Sequence, residues 1–126
     1  MGTSAMIGIY NKDGSVTASY VHYDGYVEGV GHTLVNSYND MYDAECVAKG
    51  GYMSALYDDY LKSRQRAVHD EPATTYDSIR TFTESAAYDT GAEYLYLFDG
   101  EAWFFMPTYK KGVGFEEVKM NLKNDA

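Results

Sequence analysis

Cysteine, proline and positive charge are all scarce in this chain of 126 residues, and each shortage removes a class of protein. Cys46 is the single cysteine, so there is no intrachain disulfide and no cysteine-based zinc site, which fits a reducing compartment. Ten Lys and Arg face 19 Asp and Glu, for a formal net charge of −9. Between Asp13 and Glu45 six carboxylates occur without one Lys or Arg, and that half projects negative potential. Proteins hold nucleic-acid backbones through Lys and Arg that release counterions, so direct binding of DNA or RNA is disfavoured, as is an anionic membrane. Long apolar runs are missing too. Nothing approaches the roughly 20 residues of a membrane span, and the first residues lack the basic-then-apolar order of a signal peptide. A cytosolic protein is expected.

What is present describes one domain. Apolar residues make up 45% of the chain and charged residues 23%. At this length folding buries roughly two thirds of the extended surface, enough for a core without disulfides or structural metal. The 14 tyrosines are an excess. Tyr offers a large rigid face and a hydroxyl that tolerates partial exposure, so a Tyr-rich surface suits binding, although many rings simply fill sheet faces. Residues 1–5 are small and polar and read as a tail, which leaves residues 6–126 as a single domain.

Ile7 and Ile9 alternate with Gly8 and Tyr10, Asn11 to Gly14 form a turn cluster, and a β-branched and aromatic run resumes at Val16: a β-hairpin. Val27, Val30, Leu34, Val35 and Tyr38 follow at helical spacing. Asp40 or Asp43 caps a shorter helix through Lys49, closed by Gly50 and Gly51. Residues 52–76, with the basic residues Lys62, Arg64 and Arg66 and then His69 and Pro72, read as irregular or as a long hairpin. Asp77 or Ser78 caps a helix with Ile79, Phe82 and Ala86 on one face. Residues 93–98 and 101–106 flank Asp99-Gly100, which predicts a hairpin closed by a two-residue type I′ turn. Phe115, Val118 and Leu122 fit a short helix, whereas Val118, Met120 and Leu122 fit a strand. Two hairpins separated by helices, without a βαβ rhythm, predict an α+β domain: a mainly antiparallel sheet from two β-hairpins, covered on one face by two or three helices. Trp103, Phe105, Leu95 and Leu97 are the expected buried side of that sheet.

Chemistry concentrates where the first hairpin meets the first helix, in Tyr20-Val21-His22-Tyr23-Asp24-Gly25-Tyr26-Val27-Glu28-Gly29-Val30-Gly31. Strand alternation puts His22 and Asp24 on one face with Tyr20, and Asp24 is the natural helix cap. As a structural corner, Asp24 caps, Gly25 takes positive φ and His22 bonds a nearby carbonyl. As a binding site, His22, Asp24, Gly25 and Tyr26 hold a small anionic, nucleotide-like ligand, or the same exposed rings meet a partner. A hydrolase with His22 as general base and Asp24 as its orienting group is a third reading. No nucleotide-loop, serine-hydrolase or zinc-protease motif is present, and His22, His32 and His69 are not at metal-ligand spacing, so no cofactor is expected.

The run Ile7-Gly8-Ile9-Tyr10-Asn11-Lys12-Asp13-Gly14-Ser15-Val16, followed by Tyr20-Val21-His22-Tyr23-Asp24-Gly25-Tyr26 and the spacing of Gly31, Leu34 and Tyr38, resembles a group of small bacteriophage and prophage proteins. Their usual motif is Cys-His-Trp-Asp-Gly-Tyr-Pro after a short Gly-Ile-Tyr-Asn hairpin. The likeness covers the first third of the chain and returns in the 94–105 hairpin. Val21, Tyr23 and Val27 stand where the group often has Cys, Trp and Pro, so no role for that thiol or indole carries over. The resemblance implies a viral setting, in the cytoplasm of an infected bacterium, without bringing an activity. Together with the acidic, Tyr-rich composition it leads to the expectation of a non-enzymatic protein that binds and inhibits or redirects a bacterial, antiviral-defence protein. Carboxylates at phosphate-like positions suit a basic groove, and Glu28, Asp40 and Glu45 join the corner residues as the expected contact face. A small-ligand module around His22, Asp24 and Tyr26 is the alternative.

Overall fold

The alternation on either side of residues 11–15 does make a hairpin. β1 (Ala5–Tyr10) and β2 (Val16–Val21) pair antiparallel from Ala5↔Val21 to Tyr10↔Val16. Asn11 closes the turn: its N–H donates to the Ser15 carbonyl and its side-chain amide donates to the hydroxyls of Ser15 and Thr17. The computed structural model describes residues 3–65, 71–110 and 112–119. Arg66, His69, Met120 and Leu122 lie outside the described residues. Ser4 and Ala5, expected in a tail of residues 1–5, belong to the fold: Ala5 opens β1 with no exposure and Ser4 is also buried.

The second hairpin joins β4 (Tyr94–Phe98) to β5 (Trp103–Pro107). Its turn differs from the type I′ expectation. The central pair is Gly100-Glu101 rather than Asp99-Gly100: Asp99 N–H donates to the Ala102 carbonyl, and the Asp99 carboxylate accepts from the N–H groups of Glu101 and Ala102. Gly100 has φ +108° while neither Asp99 nor Glu101 has positive φ, the sign pattern of a II′ turn. Asp99 has exchanged an expected left-handed backbone for a side-chain bond to the turn amides.

The two hairpins do not make an antiparallel sheet. β1 and β4 pair in parallel, from Ala5↔Tyr94 to Ile9↔Phe98, and with β3 (Thr74–Tyr76) and β6 (Glu116–Glu117) the sheet has the order β3-β2-β1-β4-β5-β6. The fold is thus α+β around a mixed sheet, antiparallel at every pairing except the central one. Residues 52–76, expected as irregular or a long hairpin, contain α3 (Tyr60–Gln65) and edge strand β3, and Met53 bridges Val21 in parallel.

Both sheet faces are covered, not one. Four α-helices occur among the described residues: α1 (His32–Ser37), α2 (Met41–Lys49), α3 and α4 (Ile79–Thr90). On one face Ile7, Ile9, Val21, Phe98 and Trp103 pack with Leu34 of α1 and Ala44, Val47 and Ala48 of α2. On the other, Met6, Val16, Ala18, Leu95 and Leu97 pack with Phe82 and Ala86 of α4. Trp103 and Phe105 therefore lie on the opposite face from Leu95 and Leu97, because successive strand side chains alternate and both directions are buried here. The caps follow ordinary side-chain chemistry: Asp40 accepts from Asp43 N–H at 2.8 Å to start α2, and Ser78 accepts from Thr81 N–H at 3.1 Å to start α4. No helix of the described residues is long and apolar enough to cross a membrane.

Candidate functional site

The corner after β2 is built by backbone more than by side chains. Beyond Val21 the strand pairing passes to the 53–54 segment: His22 N–H donates to the Met53 carbonyl and Tyr23 N–H to that of Ser54. Asp24 then turns the chain with φ +62°, the only positive φ of a non-glycine residue among those described. Asp tolerates this left-handed conformation better than most residues. Gly25 follows, buried. Its N–H donates to the Thr3 carbonyl at 2.7 Å and its carbonyl accepts from the Tyr96 hydroxyl at 2.6 Å. A Cβ at Gly25 would lie 2.9 Å from both the carbonyl carbon and the oxygen of Ser4, so only glycine fits this crossing of two backbones.

Three expectations are corrected here. Asp24 is not the helix cap: Tyr26 occupies that position with extended backbone and no side-chain cap bond, while Asp24 accepts Val30 N–H through its main-chain carbonyl and the Tyr26 hydroxyl through its carboxylate at 3.2 Å. Gly25 does not take positive φ, because Asp24 does. The helix also opens as a π-helical turn, Val27–Gly31, before α1. Single π turns are rare and concentrate at functional sites. His22 bonds a hydroxyl rather than a carbonyl, its Nδ1 lying 3.1 Å from Tyr20 Oη.

The result is a fixed frame with exposed, polar contents. Tyr23 is 49% exposed and Tyr26 39%, and His22, Asp24 and Glu28 are exposed beside them. Asp24 and Glu28 have no ion-pair partner among the described residues. The field of Asp24, followed by its hydrogen bond, holds the Tyr26 phenol above its usual range. Glu28 also reaches Tyr94, which hydrogen-bonds exposed Tyr109 at 3.0 Å; that bond and partial burial push Tyr94 up to about 12. His22, Asp24, Gly25, Tyr26 and Glu28 thus belong to one end of the sheet, with Tyr94 and Tyr109 next to them.

Asp40 and Glu45 do not join them. Asp40 is used in capping α2, and Glu45 pairs with Lys49 at 3.3 Å. Glu45, Lys49 and Met41 line a groove of about 560 Å³ with Lys12 and Asp13 of the first hairpin turn. That turn and the Ala5↔Val21 end of β1 are separated by the strand's length, about 17 Å at ~3.4 Å per residue. The acidic half is split between two ends of the sheet.

One concave feature was not expected from the sequence. Met6, Ala18, Tyr20, Tyr52, Glu71 and Asp89 line a cleft of about 200 Å³ beside His22 but away from Asp24 and Tyr26. Its pieces come from β1, β2, α4 and the 52–76 stretch, which are far apart in the chain, so no local pattern in the sequence brings them together.

Comparison with known proteins gives no family to which the chain can be joined: no family model matches it, and neither a curated protein nor a solved structure does so.

Proposed function

We propose that this chain is an acidic binding protein, and that the His22–Tyr23–Asp24–Gly25–Tyr26 corner with Glu28 is the surface that docks on a basic face of another protein. The observation that carries this reading is the combination of a locked backbone with exposed tyrosine rings and with two carboxylates, Asp24 and Glu28, that have no ion-pair partner among the described residues. A buried bond from Tyr96 to Gly25 and backbone bonds from Gly25 to Thr3 and from Val30 to Asp24 fix the corner, so the backbone that carries Tyr23, Tyr26, Asp24 and Glu28 is held in place before a partner arrives. Preorganised tyrosines lose little freedom on binding, and carboxylates around them steer a basic partner into contact. The excess of negative charge adds to that steering.

The motif resemblance of the same segment supplies the setting: a phage or prophage protein acting in the host cytoplasm on a bacterial protein, with antiviral defence as the target class. A nucleotide-like ligand is the weaker reading, because the described residues that line the cleft beside His22 include Glu71 and Asp89 and no Lys or Arg.

The test is capture from a bacterial host lysate at low salt with four baits: the native chain, Tyr23→Ala, Glu28→Lys and Glu45→Lys. The expected result is a partner retained by the native chain and by Glu45→Lys, depleted by Tyr23→Ala and Glu28→Lys, and released as the Debye length falls from about 10 Å at 0.1 M salt to about 3 Å at 1 M. Capture that is equal for all four baits, or absent, refutes the assignment.

A further inference from the structure

The groove between the first hairpin turn and α2 gathers the positive charge of the acidic half. Lys12 and Lys49 are the only Lys or Arg among residues 1–61, against eight Asp and Glu, and both line this groove although 37 positions separate them. Asp13 and Glu45 line it with them, so the signs balance here and nowhere else in that half.

Local structure sets each wall. On α2, Met41, Glu45 and Lys49 fall at steps of four and form one stripe along the helix, with Glu45 and Lys49 paired at 3.3 Å. On the turn, the Ser15 N–H and hydroxyl donate to the Asp13 carboxylate at 3.0 and 2.6 Å, and the Asn11 amide donates to Ser15 and Thr17. Lys12 is thus carried on a loop that its neighbours hold in shape. It is exposed and has no ion-pair partner among the described residues, although Glu45 lines the same groove. Apolar surface lies alongside, since Met41 is 42% exposed and the adjoining Tyr42 76%. Tyr and Met are residues that protein interfaces concentrate.

We infer that this face joins two copies of the chain. In a two-fold contact residue i meets residue j of the partner and j meets i, so the patch must be complementary to itself. An exposed turn beside a groove of about 560 Å³ meets that condition in shape: the turn of each copy enters the groove of the other. It meets the condition in charge too, because Lys12 of each copy then lies against Glu45 of the partner subunit. A chain of net charge −9 repels its own copy over most of its surface, and a locally neutral face is where that repulsion is least. The groove lies at the Tyr10↔Val16 end of the first hairpin and the docking corner at the Ala5↔Val21 end, so the contact leaves both corners of the pair open. Linked in this way, two corners bind a repeated target with avidity.

Sedimentation equilibrium of the full chain from about 1 µM to about 500 µM, in about 0.15 M salt, reads the association. The native chain should rise from monomer to dimer mass over that range. Lys12→Glu sets two acids against each other at each contact and Glu45→Lys sets two bases, so each variant alone should associate about tenfold more weakly. Mixed in equal amounts, the two variants restore opposite signs at both contacts, and the mixture should dimerise as the native chain does. Arg80→Glu lies on α4, which covers the opposite face of the sheet; it changes the net charge as Lys12→Glu does and should dimerise normally. Thermal melts check that each variant is folded. A chain that stays monomeric to about 500 µM overturns the proposal and gives the groove to another occupant. So do single variants as competent as the native chain, a mixture no better than its components, or an Arg80→Glu variant as weak as Lys12→Glu.

Discussion

Replacing Tyr96 with Phe tests whether the corner is held from beneath. Tyr96 has no exposure, and its hydroxyl donates to the Gly25 carbonyl at 2.6 Å. Phe keeps the ring and its packing but leaves that buried carbonyl without its donor. Losing one such bond and stranding its acceptor costs about 1 to 3 kcal/mol. Urea melts at neutral pH measure this loss, and amide exchange locates it, since residues 24–31 should lose protection before the strands do.

A pH series adds a second signature. Burial is the main cause that raises the Tyr96 phenol above its usual value near 10, so the folded state holds this proton more tightly than the unfolded chain. Its contribution is therefore complete below pH 10 and declines as the pH rises above 10 toward the folded value. Above pH 10 the native protein loses up to about 1.4 kcal/mol per pH unit from this group alone, a loss the Phe variant does not share. The stability gap between the two should narrow in that range. Tyr38, pushed up to about 12, is present in both proteins and cancels from the difference. A neutral-pH loss below about 0.5 kcal/mol, or a gap that stays constant from pH 9 to 11, would refute the reasoning.

Three further outcomes follow from the same geometry. Asp24→Gly should be more stable than Asp24→Ala by about 1 kcal/mol in chemical denaturation, because glycine accepts the φ of +62° and alanine does not; equal stabilities would place the strain elsewhere. Gly25→Ala should cost about 1 to 3 kcal/mol, since its Cβ would meet the Ser4 backbone at 2.9 Å, and a melt indistinguishable from native would show that the crossing can relax. Ser78→Ala should cost about 1 kcal/mol by removing the α4 cap, with the loss visible as a lower urea midpoint at unchanged slope.

The legible parts of this fold are those decided by neighbours in sequence. In residues 11–15 and in the 99–102 turn, Asp13 and Asp99 accept from backbone amides two or three residues on, and Asp40 and Ser78 precede amides they can accept from. The parallel pairing of β1 with β4 has no such local cause. A hint was present all the same: Leu95, Tyr96, Leu97 and Phe98 form a continuous apolar run, which marks a strand buried on both faces rather than one. α3 was hidden for the opposite reason. Leu61 is 67% exposed, so little of an apolar stripe announces that helix, and β3 is three residues long. At the candidate site, the composition pointed to the corner, but the division of labour within it turned on which of two adjacent residues takes the left-handed backbone. Gly25 was the obvious choice on conformational freedom. It was needed for close approach instead, which left Asp24 to make the turn.

The central parallel pair also sets a timetable for the chain's synthesis. Ala5 and Tyr94 are neighbours in the sheet but are separated by most of the polypeptide. At roughly 5 to 20 residues per second, β1 leaves the ribosome roughly 5 to 20 s before β4 exists to cover its inner edge. Throughout that interval the first hairpin offers an apolar strand with half its backbone groups open, the kind of edge on which nascent chains aggregate. The stretch from Asp13 to Glu45, which emerges in the same interval, carries six carboxylates and no Lys or Arg, and charge of a single sign disfavours contact between neighbouring nascent chains.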